Sequence, residues 1–225
     1  MDKVVIILFL FVLAYIYVKY LDYTLLRKVT NFGRGTRSER NLVTKLLKNG
    51  IPEQTIFHDL YIEIGNSKYC QIDLVVATRA GIIVFEIKDY SGWIFGSANQ
   101  KQWTQLLAYG RVKNRFYNPI MQNEKHIYNL KKQLQQFQNI PFFSVIVFYG
   151  DCEFKNDIYV PENTFIIYSK NVMNVVQKIM EKEPAPYTNK REIVELLKRG
   201  AINGEQIEIR NEHVRYVRSL VKYDQ

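Results

Sequence analysis

Two segments carry side chains whose types and spacing suit chemistry. They are Gln71-Ile72-Asp73-Leu74-Val75-Val76 and, after a turn, Ile83-Val84-Phe85-Glu86-Ile87-Lys88. On a strand every second side chain points to the same face, so Glu86 and Lys88 project together while Ile87 turns to the core. Asp73, on the preceding strand of the same hairpin, can face them, which gathers two carboxylates and an ammonium in one place. Such a gathering is costly unless a cation sits in it. Asp73 and Glu86 are therefore candidate ligands for Mg²⁺ or Mn²⁺, hard ions that suit carboxylates, keep waters and take phosphate oxygens. An ion of this kind lowers the pKa of a water and neutralises charge developing on a scissile phosphate, while Lys88 orients that water or stabilises the transition state. The chemistry implied is phosphodiester hydrolysis. The alternative for Glu86 and Lys88 is an exposed same-face ion pair on an edge strand, worth little energetically.

Elements must hold these groups in place. Leu42, Val43, Leu46 and Leu47 recur at helical spacing over Ser38 to Leu47, with Ser38 a candidate cap and Asn49-Gly50 a stop. Thr55 to Ile64, Tyr69 to Thr78 and Gly81 to Ile87 read as three strands bounded by turn residues. Pro119 opens a second helix, on which Ile120, Ile127, Leu130, Leu134 and Phe137 keep helical spacing to Gln138. Phe142 to Tyr149 and Thr164 to Tyr168 are further strands, and Asn171 to Glu181 and Thr188 to Arg199 further helices, parted by Pro184 and Pro186. This order predicts an α/β body with a mixed sheet flanked by helices.

The run from Val4 to Val18 is uncharged, and continued through Leu21 it approaches the roughly 20 residues needed to cross a bilayer core. A signal peptide is the rival, but no small-x-small cleavage site follows the run. Arg27, Lys28, Arg34 and Arg37 follow the span while only Lys3 precedes it, which predicts a single-pass membrane anchor with the body in the cytoplasm. Tyr15, Tyr17, Tyr20 and Tyr23 would form an interfacial belt. Cys70 and Cys152 stand in no metal-binding spacing, which argues against a zinc site or a disulfide framework and suits a reducing compartment. A hydrophobic share of 47% makes the body globular, and the net charge of +9 favours acidic partners such as nucleic acid or anionic lipid.

At Asp73 and Glu86-x-Lys88 the pattern is similar to that of the PD-(D/E)XK nucleases, and the wider context resembles the nuclease-related domain (NERD) family. A Glu39-bearing first helix precedes QIDLVV and FEIKDYSGWIFG, and NPIMQNEKHIYNL closes the run. These match, in order, the family's Glu-bearing helix, IDxVV strand, ExKxxxG strand and turn, Trp, and NPxxQ helix, over about Gly33 to Leu134. The resemblance implies a restriction-endonuclease-like fold. It also implies Asp73 and Glu86 as ligands of Mg²⁺ or Mn²⁺, Lys88 as the catalytic lysine, Glu39 as a further carboxylate and Gln122 as a polar contact. Hydrolysis of DNA, in DNA processing or defence, would be the activity, and a non-catalytic nucleic-acid-binding or scaffold module with the same fold is the alternative. Ser38 stands where the family usually has Gly and Asp89 where it usually has Asn, and Asp89 would add a negative charge near Lys88. The expected organisation is an anchor and juxtamembrane segment over 1–26, the nuclease-related domain over 33–140, and a part over 141–225 that completes the α/β body.

Three further groups bear on partners. Arg111, Lys113 and Arg115, expected in a loop before Asn118-Pro119, suit contacts to a phosphate backbone, and Lys125, Lys131 and Lys132 decorate the next helix. Tyr90, Trp93, Phe95 and Trp103 suit stacking on unpaired bases, although core packing better accounts for such large side chains. Asn211 to Lys222 reads as a basic amphipathic helix, with Val214, Val217, Leu220 and Val221 on one face. His126 shares a helix face with Gln122, and a partly buried histidine with a backbone partner is the expected role.

Overall fold

The computed structural model describes residues 3–134 and 139–223, with side chains through Ser219. Phe137 and Gln138, expected to end the second helix, lie outside the described residues, as do the side chains of Leu220, Val221 and Lys222.

Helix α1 (Lys3–Leu26) contains an 18-residue window of mean hydropathy 2.5 and is long and apolar enough to cross a membrane. Its last turn is joined to the body. Leu26 is buried against helix α2 (Arg37–Lys48), and Asp22 meets Lys48 at 2.5 Å.

Strands β1 (Ile56–Gly65), β2 (Lys68–Thr78) and β3 (Gly81–Asp89) form an antiparallel meander. Strands β7 (Phe142–Tyr149) and β9 (Thr164–Tyr168) join it in parallel, giving the order β1-β2-β3-β7-β9. One face packs Leu74, Ile83, Phe85 and Val145 against α2 and α4 (Val172–Met180). The other packs Ile72, Val75, Val84 and Ile82 against α3 (Pro119–Gln133) and α5 (Lys190–Asn203). With both faces covered, β3 and β7 read as continuous apolar runs, as buried strands do. The last helix, α6 (Ile207–Tyr223), begins four residues before its expected start and lies beside β2.

A second sheet is present that the sequence patterning did not predict. It comprises β4 (Gly92–Phe95), β5 (Gln102–Leu107), β6 (Val112–Tyr117) and β8 (Cys152–Phe154), in the order β6-β5-β4-β8. Lys113 and Arg115 therefore sit on a strand, and Arg111 at its entrance, rather than in a loop. Alternation failed as a signal here because a buried position of β5 is polar and β6 is exposed along most of its length: buried Gln105 opposes exposed Asn114 and accepts its amide at 3.3 Å. Ile94 and Trp103 pack this sheet on Ile120, Ile146 and Phe148. Trp103 and Tyr90 belong to that core cluster, in keeping with the packing role expected of them.

Asn118 joins the second sheet to α3. Its Oδ1 caps the helix by accepting the Ile120 N–H at 2.9 Å, while its Nδ2 reaches the carbonyls of Ser97, Ala98 and Gln100 at 3.1, 2.8 and 2.7 Å. Pro119 follows at the first helical position. The Asn118→Ala variant strands buried polar groups and removes a cap, so we expect a loss of about 2–3 kcal/mol in urea unfolding.

Candidate active site

The site forms where two strands part. β2 and β3 pair from Thr78 and Gly81 back to Leu74 and Phe85, and beyond that point the ladder stops. The next β3 amide, that of Ile87, donates instead to Asp73 Oδ2 at 2.8 Å. A side chain thus takes the place of a backbone acceptor, which fixes the Asp73 carboxylate beside Glu86 and Lys88. The β1–β2 ladder is irregular at the same level, because Asp59 adopts φ 53°. Side chains change sides across it: His58, opposite Leu74, meets α2, whereas Leu60, opposite Ile72, packs toward α5. Gln71 bridges the two aspartates, donating to Asp73 Oδ1 at 3.2 Å and Asp59 Oδ1 at 3.3 Å.

Glu86 is 1% exposed on a central strand, which excludes the exposed edge-strand pair. Its Oε1 lies 2.7 Å from Lys88 Nζ, which also donates to Gln122 Oε1 at 3.0 Å. Its Oε2 lies 3.3 Å from His126 Nε2 without hydrogen-bond alignment. The other ring nitrogen, His126 Nδ1, is 3.0 Å from the Cys70 sulfur. Gln122 and His126 are one helical turn apart on α3, so one helix face delivers both. The structure gives His126 side-chain partners and not the backbone partner expected for it.

These contacts set the charges. Burial alone would push His126 down, but Cys70 and Glu86 raise it to about 10, which favours the imidazolium form. Burial would raise the Cys70 thiol and the Glu86 carboxyl, yet His126 holds both below their usual values. Lys88 is likewise raised, burial being outweighed by Glu86. Asp73 goes the other way: burial first, then the charges of Glu86 and Glu39, lift it well above the usual carboxylate range.

Glu39 is held by a capping box. Thr36, and not Ser38, caps α2; Glu39 Oε1 accepts the Thr36 backbone and hydroxyl at 3.1 and 2.8 Å. Glu39 Oε2 faces His58 Nε2 at 3.3 Å, and His58 Nδ1 is 2.8 Å from the Thr30 hydroxyl. Gly35 allows this approach, since a Cβ there would fall 2.3 Å from Glu39 Oε2 and 2.6 Å from His58 Nε2. Ser38 instead donates its hydroxyl to Asp89. The two positions that depart from the family pattern are therefore partners, and Asp89 is engaged on the α2 side rather than standing beside Lys88. Arg34, expected among the interfacial cations, is buried with Asp59 at 3.4 Å and the Ala201 carbonyl at 2.9 Å.

The geometry fits a divalent ion in one respect: burial and then its carboxylate neighbours push Asp73 up, and Glu86 Oε2 is buried without a hydrogen bond. Among the described residues no three His, Cys, Asp or Glu side chains are grouped to hold a metal. A two-carboxylate site leaves the remaining positions to water and phosphate, as Mg²⁺ prefers. Arg111, Lys113 and Arg115 are exposed on the second sheet and its hairpin, where Tyr109 is 93% exposed. Sequence reasoning missed Cys70, Gln71 and His58 as neighbours of the site, and the only signal for His126 was its shared face with Gln122.

Asp73 has its folded pKa raised, so its contribution to stability is present below about pH 4 and is lost as pH rises through the folded value. The Asp73→Asn variant should melt above the parent at pH 8 in EDTA, with the gap closing toward pH 4. His126 should hold its imidazolium ¹³C shifts past pH 8 in metal-free protein; a midpoint near 6.5 would deny the contacts with Cys70 and Glu86.

The nuclease-related domain family matches residues 34–149, which span the parted strands, the second sheet's hairpin and α3. An uncharacterized protein of Bacillus anthracis is 29% identical over 189 residues, which cover 82% of this chain and 84% of that one. No solved structure matches. The PD-(D/E)XK superfamily is consistent with this match, and the chain belongs to the nuclease-related domain family.

Proposed function

We propose that this chain is a membrane-anchored nuclease that hydrolyses phosphodiester bonds in DNA with Mg²⁺ or Mn²⁺, on a restriction-endonuclease-like core. The observation that carries the reading is the convergence of Asp73, Glu86 and Lys88 where β2 and β3 part, in a chain of this family. Asp73 and Glu86 would hold the ion, which supplies charge neutralisation and an acidified water when bound. Lys88 stays cationic, so it acts as a positioned charge toward the phosphate and not as a base. Gln122 fixes the Lys88 amine, and the His126 ring lies 3.3 Å from the second oxygen of Glu86 as a charge contact. Glu39 adds negative charge behind Asp73. α1 would span the membrane with the body in the cytoplasm, since Arg27, Lys28 and Arg37 follow the span and Lys3 precedes it.

One observation favours a second reading. Lys88 and His126 together already compensate Glu86, as in a module that binds nucleic acid without cutting it. Purified full-length protein in detergent should cleave single- or double-stranded DNA with Mg²⁺ or Mn²⁺ and lose this with EDTA. Lys88→Ala and Asp73→Ala should each lower the rate about 100- to 1000-fold. A folded parent that binds DNA but cuts under none of these conditions would select the second reading.

A further inference from the structure

The outer face of the second sheet has the composition of a platform for unpaired bases. Strand register defines which side chains share it. Trp93 opposes Leu106 and Glu153, Leu106 opposes Lys113, Phe95 opposes Thr104, Thr104 opposes Arg115, and Gln102 opposes Tyr117. The intervening residues Ile94, Trp103 and Phe116 pack inward. An isolated sheet face covered by solvent is expected to be polar, yet this one carries Trp93, Phe95, Leu106 and Tyr117, the last 43% exposed. Glu153 is the only carboxylate at these positions, and Lys155 neutralises it at 2.6 Å while lying over the Trp93 ring at 4.7 Å. Lys113 and Arg115 are exposed and make no ion pair among the described residues. The face is therefore aromatic and net cationic.

We propose that a single strand of nucleic acid docks across this face, its bases stacking on Trp93 and Tyr117 and its phosphates meeting Lys113 and Arg115. The inference deepens the nuclease reading by naming the form of its substrate. Stacking requires a base face that is not already covered by a neighbouring base pair, so the aromatics discriminate for unpaired strands. The sheet is also tethered to the candidate active site at both ends. β4 begins four residues after Lys88, and β6 ends five residues before Gln122. The sheet is thus joined by short segments to the strand that carries Lys88 and the helix that carries Gln122.

The test measures fluorescence anisotropy of a labelled deoxythymidine 20-mer and of a 20-base-pair duplex with the full-length protein in detergent, in EDTA so that cleavage plays no part. The single strand should bind more tightly than the duplex. Trp93→Ala should weaken it about tenfold, with Trp93→Tyr restoring most of the affinity. Lys113→Gln with Arg115→Gln, both at exposed positions, should flatten the salt dependence by about 0.7 in log–log slope for each phosphate that is no longer neutralised. Equal affinity for the duplex, or binding indifferent to both sets of changes, would overturn the proposal even if cleavage stands. So would displacement of the oligonucleotide by polyglutamate at equal charge concentration, which would assign the face to acidic protein. Conversely, tight single-strand binding by a protein that never cuts would leave the platform intact and remove only the nuclease reading.

Discussion

A buried carboxylate in the middle of a sheet is the constraint on which the rest of this site depends. Glu86 is 1% exposed, and an ionised group taken out of water costs several kcal/mol unless partners replace its hydration. Lys88 supplies one partner from the same strand, and α3 must supply the other. That requirement explains the care with which α3 is placed. Asn118 fixes its start against the second sheet, and buried Asn123 ties its next turn to the Val84 carbonyl and the Ser144 hydroxyl, each at 2.9 Å. With the helix so held, Gln122 and His126 reach Lys88 and Glu86. Cys70 then lies where it can share the far nitrogen of His126.

The second carboxylate is accommodated differently. Asp73 receives the Ile87 amide and the Gln71 side chain, but these do not outweigh burial and the charges of Glu86 and Glu39, so the protonated form is favoured. A site in which His126 and Lys88 lower one carboxyl while burial, and then neighbouring negative charge, raise the other favours an added positive charge. The cost is carried by surrounding structure, notably the Arg34–Asp59 pair beneath Gln71 and the capping box that holds Glu39.

This network also reaches the end of α1. Thr30, four residues beyond the apolar helix, contacts His58, which faces Glu39, and Leu26 is part of the core under α2. The segment that follows α1 is therefore built into the body and is not a separate linker. Arg34 follows the same logic. Its charge is consumed inside the protein, whereas Arg27, Lys28 and Arg37, which also follow the apolar run, are exposed.

Much of this was legible in the linear chain. Period-two alternation placed Glu86 and Lys88 on one face, helical spacing placed Gln122 beside His126, and the long apolar run identified α1, because these signals are local and repeat along a few residues. The family likeness was legible for a related reason, since its motifs are short segments in a set order. What the sequence could not supply were relations between distant segments. The Ser38–Asp89 and Cys70–His126 contacts join residues 51 and 56 positions apart, and nothing in either stretch announces the other. The second sheet escaped because buried Gln105, hydrogen-bonded to exposed Asn114, and the exposed face of β6 erased the apolar alternation that marks a strand. The aromatic residues near it were read as one group, and only the register of β4 to β6 divided them, sending Trp103 inward and Trp93 outward. Local periodicity determines which elements form, whereas the burial of charge and the facing of sheets depend on which elements meet, and that was decided by the tertiary structure.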